Sequence, residues 1–252
     1  MAGDMLLPGI DWRIPWIGTS RSGMLGEGSK NKEQETLNDR IFSDRIEAAH
    51  RLGRVLAKFM GRRPLIAAIP RGAVPIGEIL ARELEGDLDV VLVRKLPAPD
   101  NPEFAIGSVA ESGWTYVAPY AEEAGGTADY IDQAKTFQLG VIRKRRSRYT
   151  PLRPSIDPSG RLVIVVDDGL ATGATMIAAL HSMRSQKPAW LVCAVPVASS
   201  ETLENVRPYA DEVVCLETPE SFHAVGEFYS NFPQVSDDEV EAILTRATKR
   251  SP

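Results

Sequence analysis

Short, unbroken apolar runs recur along this chain, and each is followed by a stretch long enough for a helix. The runs are residues 64–69, 88–93, 162–166, 190–195 and 212–216, rich in valine, leucine and isoleucine. A strand that reads as a continuous β-branched run is buried on both faces, as strands are in parallel sheets. Parallel neighbours need long crossovers, which are usually helical. Helical patterns fall at 74–84, 127–149, 172–184 and near 200–206, and 237–248 closes the chain. Upstream, Ile41, Ala48, Ala49, Leu52, Val55, Leu56 and Phe59 recur at helical spacing and stop before Gly61. The expected architecture is α/β: a doubly wound, mainly parallel sheet of about five strands with flanking helices. Ligands in such folds bind at the carboxyl ends of the strands, so those ends are where chemistry is sought.

Composition excludes several functions. A formal charge of −5 over 252 residues provides no basic field for nucleic acid or a membrane surface. The one basic run, Arg143 to Arg146 with Arg148, reads as a solvated helix face. The two cysteines, Cys193 and Cys215, each sit in an apolar run, too far apart for a CxxC motif or a cysteine metal site. They read as buried thiols in a reducing compartment. No apolar stretch approaches the roughly 18–20 residues of a membrane span, and the N-terminus lacks a secretory pattern, so a cytoplasmic protein is expected. Residues 1–37 mix Gly, Pro, Trp and Ser without periodicity and read as an extension; residues 38–252 read as one domain.

The most informative segment is Val163 to Met176, VIVVDDGLATGATM. Four apolar residues deliver Asp167 and Asp168 to a strand end, and Ala171, Thr172, Gly173, Ala174 and Thr175 open a helix. Backbone N–H groups at a helix start, flanked by small residues, cradle a phosphate. Adjacent carboxylates suit a vicinal diol, directly or through Mg²⁺, which prefers oxygen ligands. A diol at one end and a phosphate at the other describe a ribose 5-phosphate. No GxGxxG follows the first strand, which argues against a dinucleotide enzyme.

This segment resembles the phosphoribosyl pyrophosphate (PRPP) motif of type I phosphoribosyltransferases. The resemblance runs over residues 40–250 and includes Pro70-Arg71-Gly72, Val93-Arg94-Lys95-Leu96, Asn101 to Gly107 and Val225-Gly226. It is nearest to a bacterial subgroup described only as phosphoribosyltransferases of unassigned substrate. It implies that PRPP and a small-molecule acceptor are the partners, that Mg²⁺ is the cofactor, and that the protein is a homodimer in nucleotide metabolism. The implied roles follow the motif. Asp167 and Asp168 hold ribose and metal; residues 171–175 bind the 5-phosphate; Arg71, Gly72, Arg94 and Lys95 bind pyrophosphate. Residues 96–126 become a flexible loop closing over the reaction, with Glu103 and Glu111 as candidate bases. Residues 217–235 become a small hood, where Phe222, Phe228 and Tyr229 are candidates to stack on an acceptor and His223 is a further polar group.

One position departs from the pattern. Where 6-oxopurine enzymes of the family carry an aspartate before Thr-Gly, this chain has Ala171. The acceptor therefore stays open between a nucleobase and another nitrogen-containing small molecule. A non-catalytic regulator that binds PRPP or a nucleotide is the alternative reading.

Overall fold

A computed structural model of the chain describes residues 41–248. The extension expected at 1–37 lies outside the described residues. Five parallel strands form the main sheet: β1 (Leu65–Ala68), β2 (Asp87–Val90), β6 (Leu162–Val166), β7 (Trp190–Val197) and β8 (Glu212–Glu217), in the order β2-β1-β6-β7-β8. All five residues of β6 are buried, as a central strand with helices on both faces requires.

The first helix of the described residues, α1 (Arg45–Leu56), starts at Asp44, whose carboxylate accepts from the N–H groups of Ile46 and Glu47 at 2.8 and 2.9 Å. Next come α2 (Val74–Glu83), α3 (Ala128–Tyr149), α4 (Ala174–Arg184), α5 (Ser200–Val206) and α6 (Asp237–Thr248). Helix α2 follows β1 onto one face, packing with Ile66, Ala68 and Ile164. Helix α4 follows β6 onto the other, packing with Leu65, Val163 and Val165. Two neighbouring strands whose helices depart to opposite faces open a crevice between their carboxyl ends. Here the crevice separates β1 from β6, and register keeps its rims level: Ala68 pairs with Val166 and with Val90.

Two elements differ from the sequence reading. The run at 88–93 is not one strand. The chain leaves the main sheet after Val90, and β3 (Val93–Ala98) begins a second, antiparallel sheet with β4 (Asn101–Ala110) and β5 (Thr115–Val117). Much of the segment read as an irregular loop, 96–126, is therefore hairpin. Pro97 is accommodated because the β3–β4 register shifts on both sides of it, and a proline fits a ladder at such an irregularity. Ile106, Val109 and Ala110 are buried, which anchors this hairpin to the body of the protein.

Candidate active site

Because β6 is sealed in the core, the chain's first polar groups beyond it, Asp167 and Asp168, emerge at the crevice beside Ile69, whose N–H donates to the Val166 carbonyl at 3.0 Å. The loop then rises to Gly173, the residue before α4, at φ +75. A side chain there would be strained, and its Cβ would lie 3.0 Å from methyls of Thr202 and Val206. The loop is held from two sides. Thr202 Oγ1 donates to the Ala171 carbonyl at 2.7 Å, and Ser108 Oγ of β4 donates to the Ala174 carbonyl at 2.6 Å. Gly173 and Ala174 are buried, while Ala171, Thr172 and Thr175 reach the surface. Tyr120, beyond β5, lies near the Thr172 side chain, and its hydroxyl donates to the Ala105 carbonyl at 3.1 Å.

The acidic pair is tightly organised. Asp167 Oδ1 accepts the Asp168 N–H at 2.9 Å. Arg45, in the first turn of α1, sends Nε and Nη2 to Asp168 Oδ2 at 2.9 and 2.8 Å. Burial, and then the neighbouring Asp168 carboxylate, hold Asp167 well above the ordinary carboxylate range. Burial also raises Asp168, less so because Arg45 favours its charged form. The loop after β1 closes against the same group. A Cβ on Gly72 would collide with the Asp168 carboxylate, so only glycine lets this backbone approach. The preceding Pro70–Arg71 peptide bond is cis.

The cations gather on the opposite rim. Arg71 Nη1 lies 3.6 Å from Asp237 Oδ2, and Arg145 and Arg148 approach the same carboxylate at 3.7 and 3.9 Å. Arg94 donates from Nε to Gln138 Oε1 at 3.0 Å. Burial, then the positive charges of Arg145 and Arg71, lower the Arg94 pKa, which places these three guanidinium groups in one neighbourhood. Lys95 points to the other face of β3. It shares that face with its cross-strand partner Ser108, which bonds the Ala174 carbonyl, so Arg94 and Lys95 leave β3 on opposite faces.

Some expectations land elsewhere. The basic run of α3 is not a plain solvated face: Arg145 and Arg148 face the acidic start of α6, and Arg146 forks onto Glu111 at 2.6 and 2.8 Å. That pairing occupies Glu111, which adjoins a cavity of about 110 Å³ with buried Asp89, away from the acidic pair. Glu103 lies on β4. Phe228 and Tyr229 are 4% and 2% exposed, packed with Phe42 under the hood, so neither can offer a ring face to an acceptor. Phe222 is half-buried against Phe228, and His223 is exposed. Arg45, Tyr120 and Asp237 do not stand out in the sequence, and Arg145 does so only as part of a basic run, because their neighbours in the site come from distant segments.

Among the described residues no three His, Cys, Asp or Glu side chains form a metal-holding group. The donor set of Asp167 and Asp168 fits Mg²⁺ as a hard cation held by one or two carboxylates and completed by substrate oxygens.

A crevice between β1 and β6 with a carboxylate pair on one rim, arginines on the other and a helix start between them defines a type I phosphoribosyltransferase-like fold. Comparison with known proteins agrees. The family described as phosphoribosyl transferase domain matches residues 38–233. The chain is 40% identical over 211 residues to the "Putative phosphoribosyl transferase Rv0571c" of Mycobacterium tuberculosis, covering 82% of this chain and 47% of that protein. The same figures hold for its counterpart MT0597 in another strain. The chain thus spans about half the length of the curated relatives it matches. Among solved structures, TT1426 from Thermus thermophilus is 45% identical with a TM-score of 0.69, covering 81% of this chain and 98% of that one. This chain belongs to the phosphoribosyl transferase domain family.

Proposed function

We propose that this protein transfers the 5-phosphoribosyl group of PRPP to a nitrogen-containing small molecule, with Mg²⁺, and releases pyrophosphate. The observation that carries the reading is the crevice itself: a carboxylate pair, a helix start opened by Gly173, and the arginine rim stand where a diol, a 5-phosphate and a diphosphate each find a complement. Asp167 and Asp168 take the ribose hydroxyls. The N–H groups and hydroxyls of 171–175 take the 5-phosphate. Arg71 with the Gly72 backbone, Arg94 and Lys95 take the diphosphate, where fixed cations oppose the charge that grows on the leaving group. Mg²⁺, held by Asp167 and Asp168 together with the donor, would screen that same charge.

The acceptor nitrogen bonds to C1 as the bond from C1 to the pyrophosphate oxygen breaks, and a base takes the acceptor's proton. Glu103 is the candidate for that base. Ala171 has no carboxylate to serve there, and Phe222, half-buried, is the remaining hood candidate to stack on the acceptor. Labelled PRPP with Mg²⁺, offered with purines, pyrimidines and small aromatic amides, tests the reading through pyrophosphate release. Turnover on one acceptor class is expected. PRPP binding without turnover on any acceptor would instead indicate a binding protein, and absence of PRPP binding would overturn the reading.

A further inference from the structure

We infer that Arg45 is a positioning residue that fixes Asp168 within the acidic pair and ties the hood to it. The inference rests on the reading of Asp167 and Asp168 as the ribose ligands. It begins from an anomaly in α1. A cation in the first turn of a helix opposes the helix dipole, and a long charged side chain is seldom buried without partners that require it. Arg45 is nonetheless the first residue of α1, with its side chain only 10% exposed.

Each part of the guanidinium is used. Nε donates to Asp168 Oδ2, and Nη2 lies 2.8 Å from the same oxygen. Nη1 donates to the Pro233 carbonyl of the hood at 2.7 Å. The guanidinium lies 3.7 Å from the ring centroid of Phe232, also in the hood. Phe232 stacks on Tyr229 at 4.7 Å, and the Tyr229 hydroxyl donates to the Asp168 carbonyl at 2.7 Å. The result is a closed circuit: Asp168 carboxylate, Arg45, Phe232, Tyr229, and back to the Asp168 main chain.

The form of the ion pair separates positioning from simple stabilisation. An arginine that only stabilises a carboxylate does best with a fork onto both oxygens. Here both donors converge on Oδ2, the oxygen that also abuts Gly72, and Oδ1 takes neither of them. Arg45 thus sets the rotation of the Asp168 carboxylate while one oxygen is kept out of the pair. Arg45 acts through Asp168, so its loss should affect donor binding and hood order together.

The test uses the full chain with Arg45→Gln, Arg45→Lys, Asp168→Asn and the double variant Arg45→Gln/Asp168→Asn. Two readouts are taken. One is PRPP–Mg²⁺ affinity by calorimetry. The other, free of any assumption about ligand, is hydrogen–deuterium exchange of the hood amides of Ser230 and Asn231, which pair with the Phe42 and Ser43 carbonyls. Arg45→Gln is expected to weaken PRPP binding about 10- to 100-fold, the usual effect of removing a group that orients a ligand, and to speed hood exchange about as much. Arg45→Lys should recover much of the affinity, since an ammonium still reaches Oδ2, but little of the hood protection, since it lacks the planar stack and the second arm. In exchange rates, Asp168→Asn should add little once Arg45 is gone, because both act in one circuit.

Additive effects in that cycle, or unaltered PRPP affinity in a folded Arg45→Gln protein, would overturn the inference. If the unmodified protein binds no PRPP, the phosphoribosyl reading fails by itself. The exchange cycle then decides the link between Arg45 and Asp168, with non-additivity supporting it and additivity refuting it.

Discussion

The two rims of the crevice are both built from arginine and aspartate, in opposite proportions. On the β6 rim two adjacent carboxylates, Asp167 and Asp168, face one guanidinium, Arg45, which contacts Asp168. On the β1–β3 rim Arg71 and Arg145 approach one carboxylate, Asp237, with Arg94 beside them, while Arg148 pairs more closely with Glu241 and Asp238. Neither cluster is a conventional stabilising ion pair, which gains little at a surface and is costly when partly buried. What the difference teaches is polarity: one rim holds surplus acceptors for hydroxyls or a cation, the other surplus donors for an anion. A ligand carrying a diol and a diphosphate, oriented across the crevice, would satisfy both.

The largest expected effect comes from removing the surplus on the acidic rim. Asp167→Asn with Asp168→Asn keeps the shape and the capacity for hydrogen bonds but deletes the charge. PRPP affinity should fall about 10²- to 10³-fold, in line with the loss of a preorganised electrostatic contact. Circular dichroism should show the fold retained, since burial of uncharged amides is less costly than burial of these carboxylates. Calorimetry at fixed Mg²⁺ checks it, and wild-type affinity in the double variant would dissolve the proposed polarity.

How much of this contrast was legible beforehand depends on where each partner lies. The acidic rim was legible because its parts are contiguous: a five-residue buried strand, two aspartates, then the small residues that open α4. The opposite rim was only half legible. Arg71 and Arg94 mark strand ends, but Asp237 and Arg145 come from α6 and α3, and nothing local announces that they meet. Arg45 is the sharpest case, with Asp168 and Pro233 lying 123 and 188 positions away. The hairpin of β3 to β5 was hidden for a different reason. Pro97, Pro99 and Pro102 are loop signals, and tertiary burial of Ile106 and Val109 outweighs them. The hood aromatics misled through composition: a cluster of rings suits stacking on a ligand and packing on itself equally well, and only burial separates the two.

The next effect probes the basic rim. Arg94→Ala removes a guanidinium whose pKa is already lowered by burial and by its cationic neighbours. Loss of one charge-assisted contact of about 1.5–3 kcal/mol should weaken PRPP binding about 10- to 100-fold. Salt separates the rims: with fewer cations facing the anion, the variant's affinity should depend less on ionic strength than the wild type's. An unchanged salt dependence would remove Arg94 from the anion site. Gly72→Ala tests the place where the rims touch. Its methyl group must displace the Asp168 carboxylate or the loop backbone, an overpacking usually worth about 1–3 kcal/mol. We expect roughly tenfold weaker PRPP binding, and wild-type affinity and stability together would show that the close approach has no functional weight.

Asp237 gives the smallest effect and the most discriminating sign. Burial alone would raise its pKa, but the Tyr149 hydroxyl, donating at 2.8 Å, and then Arg145, Arg71 and Arg148 bring it below the ordinary carboxylate value. A carboxylate depressed in the folded state contributes stability that is complete above its unfolded pKa, about 3.9, and is lost as pH falls through the lower folded value. Asp237→Asn should therefore cost about 1–2 kcal/mol at neutral pH, read from urea midpoints. Its acid unfolding should be less steep than the wild type's below about pH 4. Affinity should move the other way. If Asp237 is a counter-ion standing in for the diphosphate, its removal leaves Arg71 and Arg145 less neutralised, and pyrophosphate should bind more tightly as the fold weakens. A variant that lost stability and pyrophosphate affinity together would make Asp237 an organiser of the arginines instead, and the basic rim would then need its aspartate as the acidic rim needs its arginine.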